Sequence, residues 1–365
     1  MSSLIVKVSK VYKIDKHPNA DRLSIVTLDD ENGWNCIVGL DQYKKGDLVV
    51  YVPPDCVIPQ DIIEKYELSY LRNNGRTGTI KLRGYISQGL ILDLPEGKWK
   101  HGDDVANALG ITKYEQPEPK YSLKSGRVTS KKKLNPLFDK YTEVENIKNY
   151  TFVFGEDDFV VVTEKIHGCN ARYANLPIAY SEHLSLMGKI KYFFNKVILK
   201  REHEFCYGSH NVQLQTSNSK KNFYGTDVWG KIAKKYDFAN TIPENTILYG
   251  EIYGKGIQEL DYGYEDIDFV LFDIKQNGVY LGWLDVEDIA NEMGLKTVPV
   301  IYVGHYLPDN LKGWTEGNSL LFPKQIREGC VIKTVFTQNH YAIGRKILKS
   351  ISAEYLSRKN RTEYK

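Results

Sequence analysis

The sequence predicts an α+β protein of two bodies, a small β-barrel followed by a larger mixed domain. Three observations support this. Residues 1–110 are short alternating runs broken by glycine turns. A Pro-, Lys- and Ser-rich stretch follows. From Phe138 onward long apolar strands mix with helical stretches. A chain of 365 residues suits two or three domains.

The barrel is read from its strands. Ser3-Leu4-Ile5-Val6-Lys7-Val8 alternates, as does Leu23-Ser24-Ile25-Val26-Thr27-Leu28, and Leu48-Val49-Val50-Tyr51-Val52 follows Lys45-Gly46-Asp47. Gly33, Gly39, Gly46 and Pro53-Pro54 punctuate these runs. Several short strands at such spacing close most readily as a small barrel. Residues 111–137 read as linker, because Pro117-Glu118-Pro119 resists regular structure. Beyond it, Phe159-Val160-Val161-Val162-Thr163 is apolar on both faces, the pattern of a buried central strand. Leu186 to Lys200 and Val286 to Met293 are helical candidates, and no internal repeat is visible.

Charge is unevenly placed. Lys and Arg number 14 against 15 Asp and Glu in residues 1–110, 7 against 2 in 111–137, and 28 against 29 in 138–365. The excess behind the net +3 therefore sits in the linker, which contains Lys131-Lys132-Lys133. Such a run is usually a solvated linker, although a basic strap between two neutral bodies also suits a polyanion. Five scattered cysteines without a C-x-x-C pair argue against a disulfide framework or structural zinc site. No apolar run reaches the ~20 residues of a membrane span, so a cytoplasmic protein, phage-encoded or cellular, without membrane partners is expected.

Within the barrel, His17-Pro18-Asn19-Ala20-Asp21-Arg22-Leu23, then Ile37-Val38-Gly39 and Gly46-Asp47-Leu48-Val49-Val50-Tyr51, form a recognisable phrase. It resembles the OB-fold tRNA-binding modules attached to some aminoacyl-tRNA synthetases, which implies an OB-fold nucleic-acid-binding domain over residues 1–110. Asn19 and Asp21 serve as readily in turn chemistry as in RNA contact. Arg72, Arg76, Lys81 and Arg83 make the stronger electrostatic case for a nucleic-acid face.

Chemistry is concentrated after the buried strand. Lys165-Ile166-His167-Gly168 puts a lysine at a strand end, with a glycine that lets backbone approach a ligand. Downstream come Leu248 to Gln258 around Glu251, Asp268 to Ile274 around Phe272, Arg327 to Lys333 around Glu328, and Arg345-Lys346-Ile347-Leu348-Lys349-Ser350. This ordered set resembles the covalent nucleotidyltransferases, specifically their ATP-dependent RNA ligases. Thr163 to Asn170 is similar to the branch of the phage double-stranded RNA ligase and the kinetoplastid editing ligases. The leading OB domain resembles the Deinococcus and Naegleria type of RNA ligase.

The resemblance implies an ATP-grasp-like nucleotidyltransferase domain with antiparallel sheets over residues 138–365. It implies an enzyme that seals 3′-OH/5′-phosphate nicks bearing an RNA 3′-OH strand, through lysyl-AMP and RNA-adenylate intermediates. Lys165 is then the nucleophile, with Lys333 and Lys349 at the phosphates. Glu164 and Ile166 flank the adenine, Phe272 stacks on it (plain core packing accounts for this phenylalanine equally well), and Asn170 serves the later steps. Glu251 binds the ribose or, through water, the metal, and Glu328 binds the metal. The cofactors implied are ATP and Mg²⁺ or Mn²⁺, the partner nicked RNA or an RNA-containing duplex, and the state a monomer. A free lysine, pKa about 10.4, is protonated at neutral pH, so attack on phosphorus needs a depressed value. Lys333, Lys349 and a metal are the expected cations for this.

Two departures from the family pattern stand out. His167 occupies a position where many nucleotidyltransferases carry aspartate, and the last motif lacks its usual lysine-x-lysine, leaving Lys349 first choice and Lys346 second. The family arginine has no clear counterpart, Arg172 and His210 being the candidates. A competing reading is a tRNA-binding OB protein with an inactive second domain. The ordered lysines and glutamates argue against it. A DNA ligase or capping enzyme is disfavoured because only about fifteen residues follow Lys349, too few for the usual trailing OB domain.

Overall fold

The computed structural model describes residues 5–68, 71, 75–114, 135–179, 189–190, 193, 202–214 and 227–358. Arg72, Lys131-Lys132-Lys133 and nearly all of the helical candidate Leu186 to Lys200 lie outside the described residues.

The first body is an almost closed antiparallel barrel. Its strands run in the order Asn35–Gly39, Leu23–Leu28, Lys7–Lys16, Leu48–Val52 and Leu90–Leu92. Alternation does the work expected of it. Ser24, Val26 and Leu28 point inward while their neighbours are half-exposed, and Val8, Val50 and Val52 are fully buried. A bulge between Val11 and Lys13 lets one long strand pair with both neighbours, which curls the sheet. Closure comes where the Ile37 amide donates to Ser87 Oγ (3.0 Å) and Cys36 Sγ lies 3.2 Å from the Gln88 carbonyl. The barrel runs past the expected boundary at residue 110. Ile111 is buried in its core, and Thr112–Lys113 pairs with Cys56–Val57.

The second body stacks two sheets. One orders Glu145–Asn146, Ile347–Ile351, Gly329–Thr334, Phe159–Glu164 and Val300–His305. The other orders Gln213–Leu214, His203–Gly208, Cys169–Pro177, Thr246–Gly254, Ile267–Gln276 and Val279–Tyr280, with Lys296–Thr297 added beside Ile267–Gln276. Pairing is antiparallel except at two short edges, Glu145–Asn146 against Ile347–Ile351 and Lys296–Thr297 against Ile267–Gln276. Val160, Val161 and Val162 are fully buried, as a strand apolar on both faces requires. Val161 enters the main core while Val160 and Val162 enter a second core on the opposite face. The expected helix near Val286 spans Trp283–Glu292. No helix among the described residues is long and apolar enough to cross a membrane.

The two bodies touch directly. Trp34 Nε1 donates to Asn149 Oδ1 (3.0 Å), and Lys148 Nζ donates to Gln88 Oε1 (2.8 Å) while lying 5.0 Å from the Trp34 ring centre.

Candidate active site

Lys165 follows its strand immediately, so strand alternation sets its direction. Register aligns Val161 with Lys333, Thr163 with Val331, and Val331 with Lys349. Paired residues share a sheet face, so Lys333, Lys349 and the Val161–Thr163–Lys165 row look toward the second sheet. Along that row Lys333 stands roughly 13 Å from the Lys165 end, at about 3.3 Å per residue. A bulge between Val162 and Thr163, opposite Val300–His305, twists the strand just before the lysine.

Lys165 Nζ donates to Glu328 Oε1 at 2.8 Å, with a quarter of the lysine side chain and 6% of the glutamate exposed. Burial opposes the ammonium, yet the Glu328 and Glu251 carboxylates outweigh it and hold the lysine above its ordinary value. The cations expected to depress it are engaged elsewhere or farther along the sheet. At rest, the lysine sits in a carboxylate pocket. Burial likewise opposes the Glu328 charge, but Lys165 and His167 overcome it and hold the carboxyl at about 2. Glu251 goes the other way. Burial pushes it up to about 8, Lys165 only partly offsetting that. Gly168 makes room for Glu251, since a Cβ there would stand 2.8 Å from Glu251 Cγ and 2.2 Å from the Ile252 carbonyl oxygen.

Two oxygen donors remain open beside this pair. Glu328 Oε2 is buried and accepts no hydrogen bond, with His167 Nδ1 at 3.6 Å. Asn170 Oδ1 is also buried without a partner, and register sets Asn170 opposite Glu251. Buried oxygens left without hydrogens suit a hard cation that retains most of its waters. Among the described residues no group of three or more His, Cys, Asp or Glu forms a metal cage. The oxygens of Glu328, Glu251 and Asn170 fit a largely hydrated Mg²⁺ or Mn²⁺.

Phe272 is the one half-exposed residue in the otherwise buried run Ile267–Ile274. Tyr249 pairs with Asp273 and Gly250 with Leu271, which makes Phe272 the extra residue of a bulge. Bulges re-aim side chains, and this one leaves Phe272 partly exposed, its ring 4.9 Å from that of Tyr141. Ile166 is buried in the main core. Glu164 shares a face with Cys330, away from Lys165, and its Oε2 accepts the Leu320 amide at 2.7 Å. Its other oxygen is buried without a hydrogen-bond partner, and burial raises the carboxyl above its ordinary range.

Lys333 donates to the Phe272 carbonyl (2.9 Å), lies 3.3 Å from Asp273 and caps the Trp283 ring at 4.6 Å. Burial lowers it to about 8, against the pull of Asp273. Asp273, fully buried, also takes Arg345 at 2.6 Å and the Tyr141 hydroxyl at 2.7 Å. This knot locks the strand behind Phe272. Sequence reading missed Asp273 and Arg345 as a pair, although both lie inside the quoted motifs.

The two candidate lysines of the last motif separate cleanly. Lys349 faces the cleft near Glu145, whose carboxyl burial raises against the opposing pull of Lys349. Lys346 turns to the other side and is held by both oxygens of Asp158 at 2.6 Å. Of the arginine candidates, Arg172 is spent on structure. It donates to the Phe138, Asp139 and Ser209 carbonyls and stacks 4.2 Å from the Phe138 ring centre. His210 lies beside it, held below its ordinary value by burial and by the Arg172 and Lys140 charges.

The proposed nucleic-acid face is only partly available. Lys81 and Arg83 are exposed on the hairpin Thr79–Gln88. Arg76 is not. Its guanidinium pairs with the buried Asp55 and stacks 3.8 Å from the Tyr114 ring centre, which ties the end of the barrel together. The His17 phrase is turn chemistry. His17 contacts the Leu82 carbonyl at 3.2 Å, and Asn19 donates to the Arg83 carbonyl at 2.9 Å, clamping a turn where Arg83 has φ of 48°.

An RNA ligase family model matches residues 158–351, just over half of the sequence. The chain belongs to the RNA ligase family. An OB-fold domain model matches residues 5–94 of this ligase. Its fold is similar to that of Naegleria gruberi RNA ligase. A mutant of that protein solved with ATP and Mn is 22% identical at a TM-score of 0.69, covering 96% of this chain and 98% of that one. Another mutant, with AMP and Mn, is 23% identical at 0.70 over 98% and 100%, and the complex with PPi is 23% identical at 0.69 over 97% and 98%. No curated protein matches the chain.

Proposed function

We propose that this RNA ligase uses ATP to seal 3′-OH/5′-phosphate nicks bearing an RNA 3′-OH strand, through lysyl-AMP and RNA-adenylate intermediates. The observation that carries the reading is the Lys165–Glu328 pair, with Glu251 beside it and buried oxygens of Glu328 and Asn170 left without hydrogen bonds. A merely structural ion pair has no use for buried oxygens without partners. The Naegleria gruberi complexes with ATP, AMP, PPi and Mn support the same choice of nucleotide and metal.

In this reading Lys165 Nζ attacks the α-phosphate, a P–N bond forms, and pyrophosphate leaves with the electrons of the broken P–O bond. The lysine must first give up the proton that Glu328 and Glu251 hold on it. Glu328, Glu251 and Asn170 would hold a divalent ion, which when bound would supply positive charge that competes with that hold. Phe272, partly exposed at its bulge, offers its ring to adenine, and Glu164 offers a buried acceptor oxygen. Lys349 from the cleft face, and Lys333 from its station at Phe272, place positive charge along the phosphates. In the later steps Asn170 holds the adenylate while the 3′-hydroxyl displaces AMP. Lys81 and Arg83 on the barrel hairpin contact the RNA backbone.

The test is sealing of a panel of nicked duplexes that differ only in the sugar on each side of the nick. Sealing should follow the 3′-OH side, with RNA there joined far faster than DNA. Equal sealing of all-DNA nicks would overturn the substrate assignment.

A further inference from the structure

Two buried tyrosines grip His167 from different sides. Tyr262, 1% exposed, accepts the His167 amide on its hydroxyl at 2.6 Å. It does so from a left-handed backbone conformation, φ 55°, which strains a bulky residue and persists only where surroundings enforce it. Its own amide donates to Gln325 Oε1 at 3.3 Å. Tyr355, also 1% exposed, sets its hydroxyl 3.0 Å from His167 Nδ1, with the two rings edge to face at 5.6 Å. Its helix, Ala353–Leu356, is itself anchored. Ser352 Oγ accepts the Tyr355 amide, and Glu316 takes both the Ser352 hydroxyl and the Ala353 amide.

Phenylalanine would fill either space equally well, so packing does not account for the hydroxyls. Both are spent on one residue. His167 Nδ1 in turn lies 3.6 Å from Glu328 Oε2, and Glu328 Oε1 lies 2.8 Å from Lys165 Nζ. We propose that Tyr262 and Tyr355 are positioning residues for lysine adenylylation, fixing His167 and through it the Glu328 carboxylate against Lys165. The proposal rests on the reading of Lys165 as nucleophile. One hydroxyl holds the backbone of the turn and the other holds the ring, so the histidine can neither slide nor swing.

The test uses the full chain carrying Y262F, Y355F, H167A, and H167A combined with each tyrosine change. Single-turnover transfer from α-labelled ATP is followed across ATP concentrations, with melting temperatures alongside. Each Tyr→Phe variant should slow transfer about tenfold, the effect of one well-placed hydrogen bond. The ATP concentration for half-maximal rate should stay unchanged. If the tyrosines act only through His167, each double variant should be no slower than H167A alone. Full-rate transfer in Y355F, or losses that add to those of H167A, would overturn the proposal. Should Y262F melt far below wild type, Y355F decides. If wild-type protein forms no adenylate, the nucleophile reading itself is wrong. If it does and Y355F matches it, only the positioning role falls.

Discussion

Replacing Lys165 with methionine should do more than silence the enzyme. The methionine keeps the apolar stem but leaves the buried Glu328 facing its cleft without the ammonium at 2.8 Å. In the wild type, Lys165 and His167 overcome burial and hold Glu328 at about 2, against an ordinary 4.5. That depression corresponds to about 3 kcal/mol favouring the folded state when the group is ionised. His167 keeps part of it, so the variant should lose about 2–3 kcal/mol at pH 7, near the range seen when one member of a buried pair is removed. The sign fixes the pH window. A depressed carboxyl contributes stability that is present above its unfolded value and lost as pH falls through the folded one. The gap between wild type and variant should therefore be full above about pH 5 and close as pH drops from 4.5 toward 2. Urea unfolding at pH 7, 5 and 3.5, followed by tryptophan fluorescence, measures it. A gap that is absent at pH 7, or that does not shrink with acid, would refute the pairing as described.

Other outcomes follow from the same geometry. Phe272→Ala should raise the ATP concentration for half-maximal adenylylation up to about tenfold, the worth of one aromatic stack, with little change in the limiting rate. Lys349→Ala should slow adenylylation from ATP about a hundredfold and sealing from a preformed adenylate less, as loss of one transition-state charge contact predicts. Lys346→Ala should instead lower the melting temperature by freeing Asp158, with adenylylation near wild type. Reversing Lys81 and Arg83 to glutamate should flatten the salt dependence of nick binding by roughly one unit of slope for each lost phosphate contact. Arg76→Ala should leave that slope alone and destabilise the barrel.

The parts of this site that were legible in the sequence are those carried by short runs. Lys165 to Gly168 and Glu328 adjoin strand ends, and Glu251 and Phe272 lie within strands, places that alternation and motif spacing identify. Alternation also separates Lys349 from Lys346, because Ile347, Lys349 and Ile351 must share one face and Lys346 the other. What stayed hidden depends on partners distant in sequence. Tyr262 and Tyr355 reach His167 across 95 and 188 positions, and nothing in their neighbourhoods announces it. Arg76 looked like a phosphate contact because its partner Asp55 lies on another segment, 21 residues back. The partial exposure of Phe272 depends on a bulge, and a bulge is set by register rather than by composition. The expected depression of Lys165 failed for a similar reason. At rest Lys333 sits with Asp273 and the Phe272 carbonyl, and the charges that act on Lys165 are the Glu328 and Glu251 carboxylates.

The most direct test of the central claim is to incubate wild-type protein with α-labelled ATP and a divalent metal, then map the modified residue by mass spectrometry. The account predicts the mass of one AMP on Lys165, lost in acid and retained in alkali as a phosphoamide requires, and discharged when a nicked duplex with an RNA 3′-OH strand is added. A label on another residue, or undiminished labelling of Lys165→Met, would contradict it.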